Sequence, residues 1–157
     1  MALHIVFVEP VMPENTGNII RTCAATNTKF HLVKPLGFEF NTSKLKRAGL
    51  DYWEHADIEI HESLHDFMQS VDSDARLFLA TTKGKYRYDE PEYRDGDIFV
   101  FGKETEGLPK GLIHLLYDNT IRIPMSEVTR ARSFNLSNSA NIILFEALRQ
   151  LNFPDLK

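Results

Sequence analysis

The sequence predicts an α/β domain: a mostly parallel β-sheet with helices on both faces. Three observations predict it. Short β-rich runs alternate with runs of helical periodicity along the chain. The 157 residues suit one domain with a sizeable core. No repeat, low-complexity tract or linker-like change in composition divides them, so residues 1–157 are expected to form a single domain. Strands that alternate with helices are joined by crossovers, which cover both faces of a parallel sheet.

The elements follow in order. Residues 3–8 form an apolar run suited to a buried strand. A helix is expected over about 16–25 with Asn15 as its cap; Ile19, Ile20, Cys23 and Ala24 fall on one face, Asn18, Arg21 and Thr22 on the other. Residues 29–33 make a second strand, 44–49 a short helix, 58–60 a weak strand, and 63–71 a helix capped by Ser63. Strong strands follow at 76–81 and 97–101. Residues 109–117 predict a helix with Pro109 at its first position, and 119–123 a further strand. The last helix, 137–151, carries a stripe of Ala140, Ile143, Leu144, Ala147, Leu148 and Leu151. Ile142 and Phe145 form a second apolar patch on it, so the helix is either centrally buried or used at a subunit interface, with the interface favoured. Ligands of such sheets sit beyond the carboxyl ends of the strands. The loops at 9–15, 82–87, 102–108 and 124–136 are therefore the places for a site.

Composition narrows the function. The chain is 43% hydrophobic and 25% charged, as ordinary globular proteins are. No apolar run approaches the roughly 20 residues of a membrane span, and the start lacks a basic n-region, so neither membrane insertion nor a signal peptide is expected. The single Cys23 can form no intramolecular disulfide and fits a reducing cytoplasm. A net charge of −4 argues mildly against nucleic acid, although Lys44/Lys46/Arg47, Lys83/Lys85/Arg87 and Arg130/Arg132 are local basic clusters.

Three motifs occupy the loops. The first, Pro10 to Arg21, puts Asn15 at a helix start, where exposed N–H groups favour an anion, with Arg21 further along. A capped surface helix carrying an arginine accounts for it equally well. In the second, Gly102 and Gly107 bracket a strand-to-helix loop containing Glu104; the glycines supply unusual angles or a close approach to a ligand. It matches neither nucleotide-binding fingerprint. In the third, Arg132, Ser133, Asn135, Ser137 and Asn138 lead straight into the last helix. That makes a polar pocket wall fused to a buried helix, or simply a generous cap. His61-Glu62-Ser63-Leu64-His65 also satisfies H-E-x-x-H, but that motif needs one continuous helix. Here a strand precedes Ser63, so His61 falls outside the helix and no metal site is expected.

Together, in this order and spacing, the motifs resemble those of the SPOUT class of RNA 2′-O-ribose methyltransferases. Glu9-Pro10, Asn15 to Arg21 and Arg47-Ala-Gly-Leu-Asp-Tyr52 resemble the compact subgroup that methylates the tRNA wobble nucleotide. The resemblance covers essentially the whole chain. It implies a SPOUT fold with a C-terminal trefoil knot, a homodimer, and S-adenosylmethionine bound in the knot loops, with S-adenosylhomocysteine as product. By position, Ala80, Gly102, Leu108, Ile123, Ser133 and Leu136 would contact this donor.

The resemblance assigns catalysis to Arg21 supported by Asn15. An arginine, which gives up its proton only far above neutral pH, is a poor base, so stabilising alkoxide character is its expected role. Glu104, Ser137 and Asn138 would orient Arg21 or the nucleotide. Lys46, Arg47 and Arg132, with the other basic clusters, would hold the tRNA anticodon stem-loop. No metal is required, and the cytoplasm is the expected compartment. Three positions depart from the subgroup: Glu106 where a basic residue is usual, Phe145 for tyrosine, and a loop over 126–131 about two residues longer. Two alternatives stand beside this reading: the same chemistry on another RNA such as rRNA, and a non-catalytic RNA-binding dimer.

Overall fold

The computed structural model describes residues 2–40, 54–128 and 133–157. The expected helix at 44–49 and the residues Lys44, Lys46, Arg47, Arg130 and Arg132 lie outside these. The described strands are β1 (His4–Val8), β2 (Lys29–Val33), β3 (Asp57–His61), β4 (Leu77–Ala80), β5 (Tyr86–Arg87), β6 (Ile98–Phe101) and β7 (Thr120–Arg122). The helices are α1 (Pro13–Thr26), α2 (Leu64–Ser70), α3 (Lys110–Leu115) and α4 (Leu136–Gln150), with a 3-10 turn at Tyr117–Asn119. The strands form one sheet in the order β3-β2-β1-β6-β4-β7-β5, and every pairing between neighbours is parallel. The expected α/β class therefore holds. Among the described residues no helix is long and apolar enough to cross a membrane.

The central strands are apolar throughout because both faces are covered. Alternate residues separate the two sides. Ile5 and Phe7 of β1 join Phe30, Phe99 and Ile121 under α1 and α4, which contribute Ile19, Ile20, Cys23, Ile143 and Leu144. Val6 and Val8 face the other way, with Val33, Leu79 and Val100, against Phe67 of α2 and Leu108, Leu112 and Ile113 around α3. Burying a side chain of this size stabilises the fold by about 1.5–3 kcal/mol each.

Several boundaries differ from expectation, each for a local reason. Helix α1 starts at Pro13, whose fixed φ suits the first turn, so Asn15 is its third residue and not its cap. Pro109 is the cap residue before α3: its ψ of 135° is extended, and the helix begins only at Lys110. Two-residue β5 falls within what the sequence presents as loop, because its order comes from pairing Tyr86 and Arg87 with Ile121 and Arg122 rather than from a pattern of its own. Ser63 does cap α2, its Oγ accepting the Asp66 N–H at 3.0 Å. That cap separates His61, the last residue of β3, from His65 on α2, which is why the H-E-x-x-H pattern has no common helix face.

His61 has other partners. On the α2 side of the sheet, His4 Nδ1 lies 2.8 Å from His31 Nε2, and His31 Nδ1 lies 2.9 Å from His61 Nε2. The ring centroids are 5.1 and 5.2 Å apart with interplanar angles of 17° and 26°. Those centroid separations equal the N···N distances plus two ring radii, so the imidazoles meet edge to edge in near-linear hydrogen bonds. One proton per ring, on Nε2 throughout or on Nδ1 throughout, satisfies both contacts. The ladder runs diagonally, because His4 pairs with Lys29 and His31 with Glu59, each two residues before the next histidine.

Burial pushes the His31 pKa down to about 3 from an ordinary 6.5, and His4, His61 and Lys29 push the same way against an opposing Glu59. From α2 the ring meets Phe67, an uncharged neighbour. Neutral in the fold and protonated when unfolded, His31 contributes stability that is present above pH 6.5 and is lost as pH falls towards 3. We expect thermal unfolding midpoints to fall between pH 7 and pH 4.5 and the slope to flatten in His31→Gln. Equal slopes in both proteins, followed by circular dichroism, would contradict this.

Candidate functional site

The carboxyl ends of β4, β6 and β7 open into a cleft of about 860 Å³. That volume lies within the range of small-molecule sites. Its walls come from three connections that the sheet order brings together. Ala80 ends β4, and Gly102 follows β6 and leads to Leu108. Ile123 follows β7, while Ser133 and Leu136 lead into α4. All six positions expected to touch a methyl donor thus line one cleft.

The loop after β6 is shaped by its two glycines. A Cβ on Gly102 would stand 2.0 Å from the Gly107 carbonyl carbon and 2.2 Å from Leu108 N. The close approach is therefore to the loop's own backbone. Gly107 has φ of 72° and donates its N–H to the Lys103 carbonyl at 3.0 Å, closing the turn. Gly84 does the same for the loop after β4, where a Cβ would lie 2.4 Å from the Ile121 carbonyl carbon. The Arg122 guanidinium secures that crossing by donating to the Gly84 and Lys85 carbonyls at 3.1 Å.

Glu104 is the hub of the site. Its carboxylate accepts the Val11 and Met12 N–H groups, each at 2.8 Å, and the Asn15 amide at 3.1 Å. Helix α1 begins at Pro13 with no side-chain cap of its own, so the carboxylate does from another loop what a capping-box glutamate does within a helix. The Asn15 carbonyl oxygen lies 3.1 Å from the Ser137 hydroxyl, which is 2.7 Å from Asn135 Oδ1. Asn135 also accepts the Asn138 N–H at 3.2 Å, capping α4. Asn15 and Ser137 are both buried, so this brace fixes α1, the β6–α3 loop and α4 to one another.

The other expected residues fall elsewhere. Asn15 and Glu104 border the cleft, whereas Ser137, Asn138 and Arg21 do not line it. Arg21 is exposed on α1, six residues beyond Asn15. Lys46, Arg47 and Arg132 lie outside the described residues. Lys83 lines the cleft, while Lys85 pairs with Asp118 and Arg87 with Asp89 on the surface. Sequence reasoning left unassigned Thr81, Lys110, Tyr117 and Phe134, which also line the cleft. Thr81, just beyond β4, and Phe134, within the third motif, had a signal in their position; Lys110 and Tyr117, at the start of α3 and of the 3-10 turn, had none.

Leu108, Ile123 and Leu136 make an apolar wall, and the backbone of the Gly102–Leu108 turn offers polar groups beside it. These suit a ligand with a flat heterocycle and a polar tail, which S-adenosylmethionine has. No metal-ligating cluster among the described residues lies in the cleft.

A family model described as the SpoU rRNA Methylase family matches residues 2–145. A tRNA (cytidine(34)-2′-O)-methyltransferase from Methylovorus glucosotrophus (strain SIP3-4) is 47% identical over 150 residues, covering 95% of this chain and 96% of that protein. A solved structure described as giving structural insights into the 2-OH methylation of C/U34 on tRNA superposes with a TM-score of 0.91 at 40% identity, covering 96% and 97% of the two chains. An AdoMet-bound rRNA methyltransferase from Sinorhizobium meliloti superposes with a TM-score of 0.84 at 25% identity, over 96% of this chain and 57% of that longer one.

The two glycines should respond differently to substitution. Gly102→Ala forces backbone apart and should destabilise the fold by about 1–3 kcal/mol. Gly107→Ala has open space and only its φ to strain, and should cost about 1 kcal/mol. Glu104→Gln presents an NH₂ where an acceptor is needed and should cost about 1–3 kcal/mol. Urea unfolding of the three variants measures this; equal midpoints for the two glycine variants would refute the loop geometry.

Proposed function

The chain belongs to the SpoU rRNA Methylase family, and on that premise we propose that it methylates the ribose 2′-hydroxyl of the wobble pyrimidine of tRNA, using S-adenosylmethionine. The observation that carries this reading is the convergence of Ala80, Gly102, Leu108, Ile123, Ser133 and Leu136 on one cleft. Relatives that cover the chain almost end to end and act on position 34 support tRNA over other RNA. Residues 1–157 act as one domain, with the knotted C-terminal half of the family, in the cytoplasm.

The bound donor supplies an electrophilic methyl carbon, already activated by its sulfonium. What remains is orientation and charge. The walls of Leu108, Ile123 and Leu136 hold the donor by apolar burial and exclude water. The Arg21 guanidinium, a poor base and a good cationic donor, stabilises negative charge developing on the ribose oxygen and orients a neighbouring phosphate. Asn15, held between Glu104 and Ser137, fixes the start of the helix that carries Arg21. Asn138 anchors the facing end of α4. Lys46, Arg47 and Arg132 contribute phosphate contacts to the anticodon stem-loop. The catalytic unit is a homodimer, for which α4 offers Ile142 and Phe145, 36% and 46% exposed.

Labelled methyl transfer to unmodified and cell-derived tRNA, with nucleoside analysis, tests the proposal. A 2′-O-methylated pyrimidine at position 34 is expected. No product on either pool, with donor binding intact, would point to another RNA. No product and no donor binding would point to a non-catalytic RNA-binding dimer. Arg21→Ala should lower turnover by about 10²-fold or more while leaving S-adenosylhomocysteine affinity nearly unchanged. Full turnover in that variant would remove Arg21 from the mechanism.

A further inference from the structure

The histidines on the α2 side of the sheet stand apart from the cleft and take no part in the proposed reaction. His31 Nδ1 and His61 Nε2 are 2.9 Å apart, and a Glu59 carboxylate oxygen lies 3.8 Å from His31 Nδ1. One donor atom from each of the three side chains falls within 4.8 Å of the other two. We propose that His31, His61 and Glu59 form a binding site for one divalent transition-metal ion of the zinc class, spanning strands β2 and β3.

Distance and donor type both favour this. Zinc bonds of about 2.0–2.2 Å in tetrahedral geometry put neighbouring donors roughly 3.3 Å apart. The observed separations of 2.9 and 3.8 Å straddle that figure, and because the two imidazoles face each other nearly in line, binding also requires each ring to turn so that its nitrogen lone pair points at the ion. Two imidazole nitrogens with one carboxylate suit zinc, nickel or copper, and not magnesium or calcium, which prefer all-oxygen shells. Three protein ligands leave the fourth position to water.

The rest of the ladder supplies the outer support such a site needs. His31 presents Nδ1 to the ion only if its proton is on Nε2, and His4 Nδ1 accepts that proton at 2.8 Å. A ligating histidine commonly has its second nitrogen held in this way. His61 completes the site by carrying its proton on Nδ1 in place of Nε2, a tautomer change exchanged through solvent with no net loss of a proton. Phe67 makes T-shaped contacts with both imidazoles, at ring-centroid distances of 5.5 and 5.1 Å, and screens them from one side. Lys29 is the competitor: its ammonium pairs with Glu59 at 3.0 Å and must release the carboxylate for the ion to bind. The ion would pin edge strand β3 to β2 and would leave the cleft untouched.

The test uses the full chain free of any histidine tag, titrated with Zn²⁺ against a chromogenic chelator and with Co²⁺ by visible absorption. One ion per chain is expected, with the intense d–d bands of tetrahedral cobalt. Glu59→Gln and Lys29→Gln alter partly exposed side chains and should fold normally. The first should weaken binding at least ten-fold, and the second should strengthen it. His4→Phe should weaken it about 10–100-fold, as loss of an outer-shell partner does, and His61→Gln should abolish it. Methyl transfer by the wild-type chain should be the same with and without the ion. Absence of stoichiometric binding in both wild type and Lys29→Gln would overturn the proposal. So would binding that Glu59→Gln and His61→Gln leave unchanged, since the ion would then sit on scattered surface histidines.

Discussion

Glu104 reaches from the loop after β6 to the start of α1, where one carboxylate accepts two backbone N–H groups and the Asn15 amide. Met12 offers the start of helix α1 no capping oxygen, and Pro13 has no N–H. The negative charge also sits at the positive end of the helix dipole. The path then continues through Asn15 to Ser137 and Asn135 at the head of α4. A buried polar chain of this kind is stable only when every member has a partner. The loop can present Glu104 only because Gly102 and Gly107 let it fold flat on itself. Loop, helix start and α4 are thus mutually dependent, and the cleft between them inherits their rigidity.

How much of this the sequence carries depends on whether the cause is local. Strands β1, β2 and β6 are legible because both of their faces are buried and their residues are apolar without interruption. The cap of α2 is legible because Ser63 is adjacent to the helix it serves. The start of α1 is not, since its N-terminal acceptor lies some ninety positions away at Glu104. In the site, the three motifs mark the loops that border the cleft, and Asn15, Glu104 and Ser137 do come together. Their arrangement as a buried brace is invisible in sequence, because it depends on strand order. Only the insertion of β6 between β1 and β4, with β7 beyond β4, sets those loops side by side.

The same order divides the sheet by task. The cleft takes the ends of β6, β4 and β7, while the histidine ladder crosses β1, β2 and β3. A single imidazole buried among Val6, Val33 and Phe67 would lack hydrogen-bond partners and cost stability. Three on one diagonal satisfy each other, and only the outermost need reach solvent. H-E-x-x-H is thus misleading about its own spacing and informative about His61. The residue's partners lie across the sheet on neighbouring strands, not one helical turn along the chain.

The position of Arg21 gives the proposed dimer a chemical reason. Six residues along α1 place it about 9 Å from Asn15 by helical rise, away from the cleft of its own chain. Thr22, beside it, bonds Asn141 of α4 at 2.7 Å. Arg21 is thus the chain neighbour of a residue bound to α4, the helix that exposes Ile142 and Phe145. A second copy covering that apolar patch would bring Arg21 to the junction between the chains. There its guanidinium can serve a nucleotide held across both subunits, and the brace through Glu104 and Asn15 keeps its helix from shifting under that load. On this reading, pairing of the chains and assembly of the reacting site are a single event.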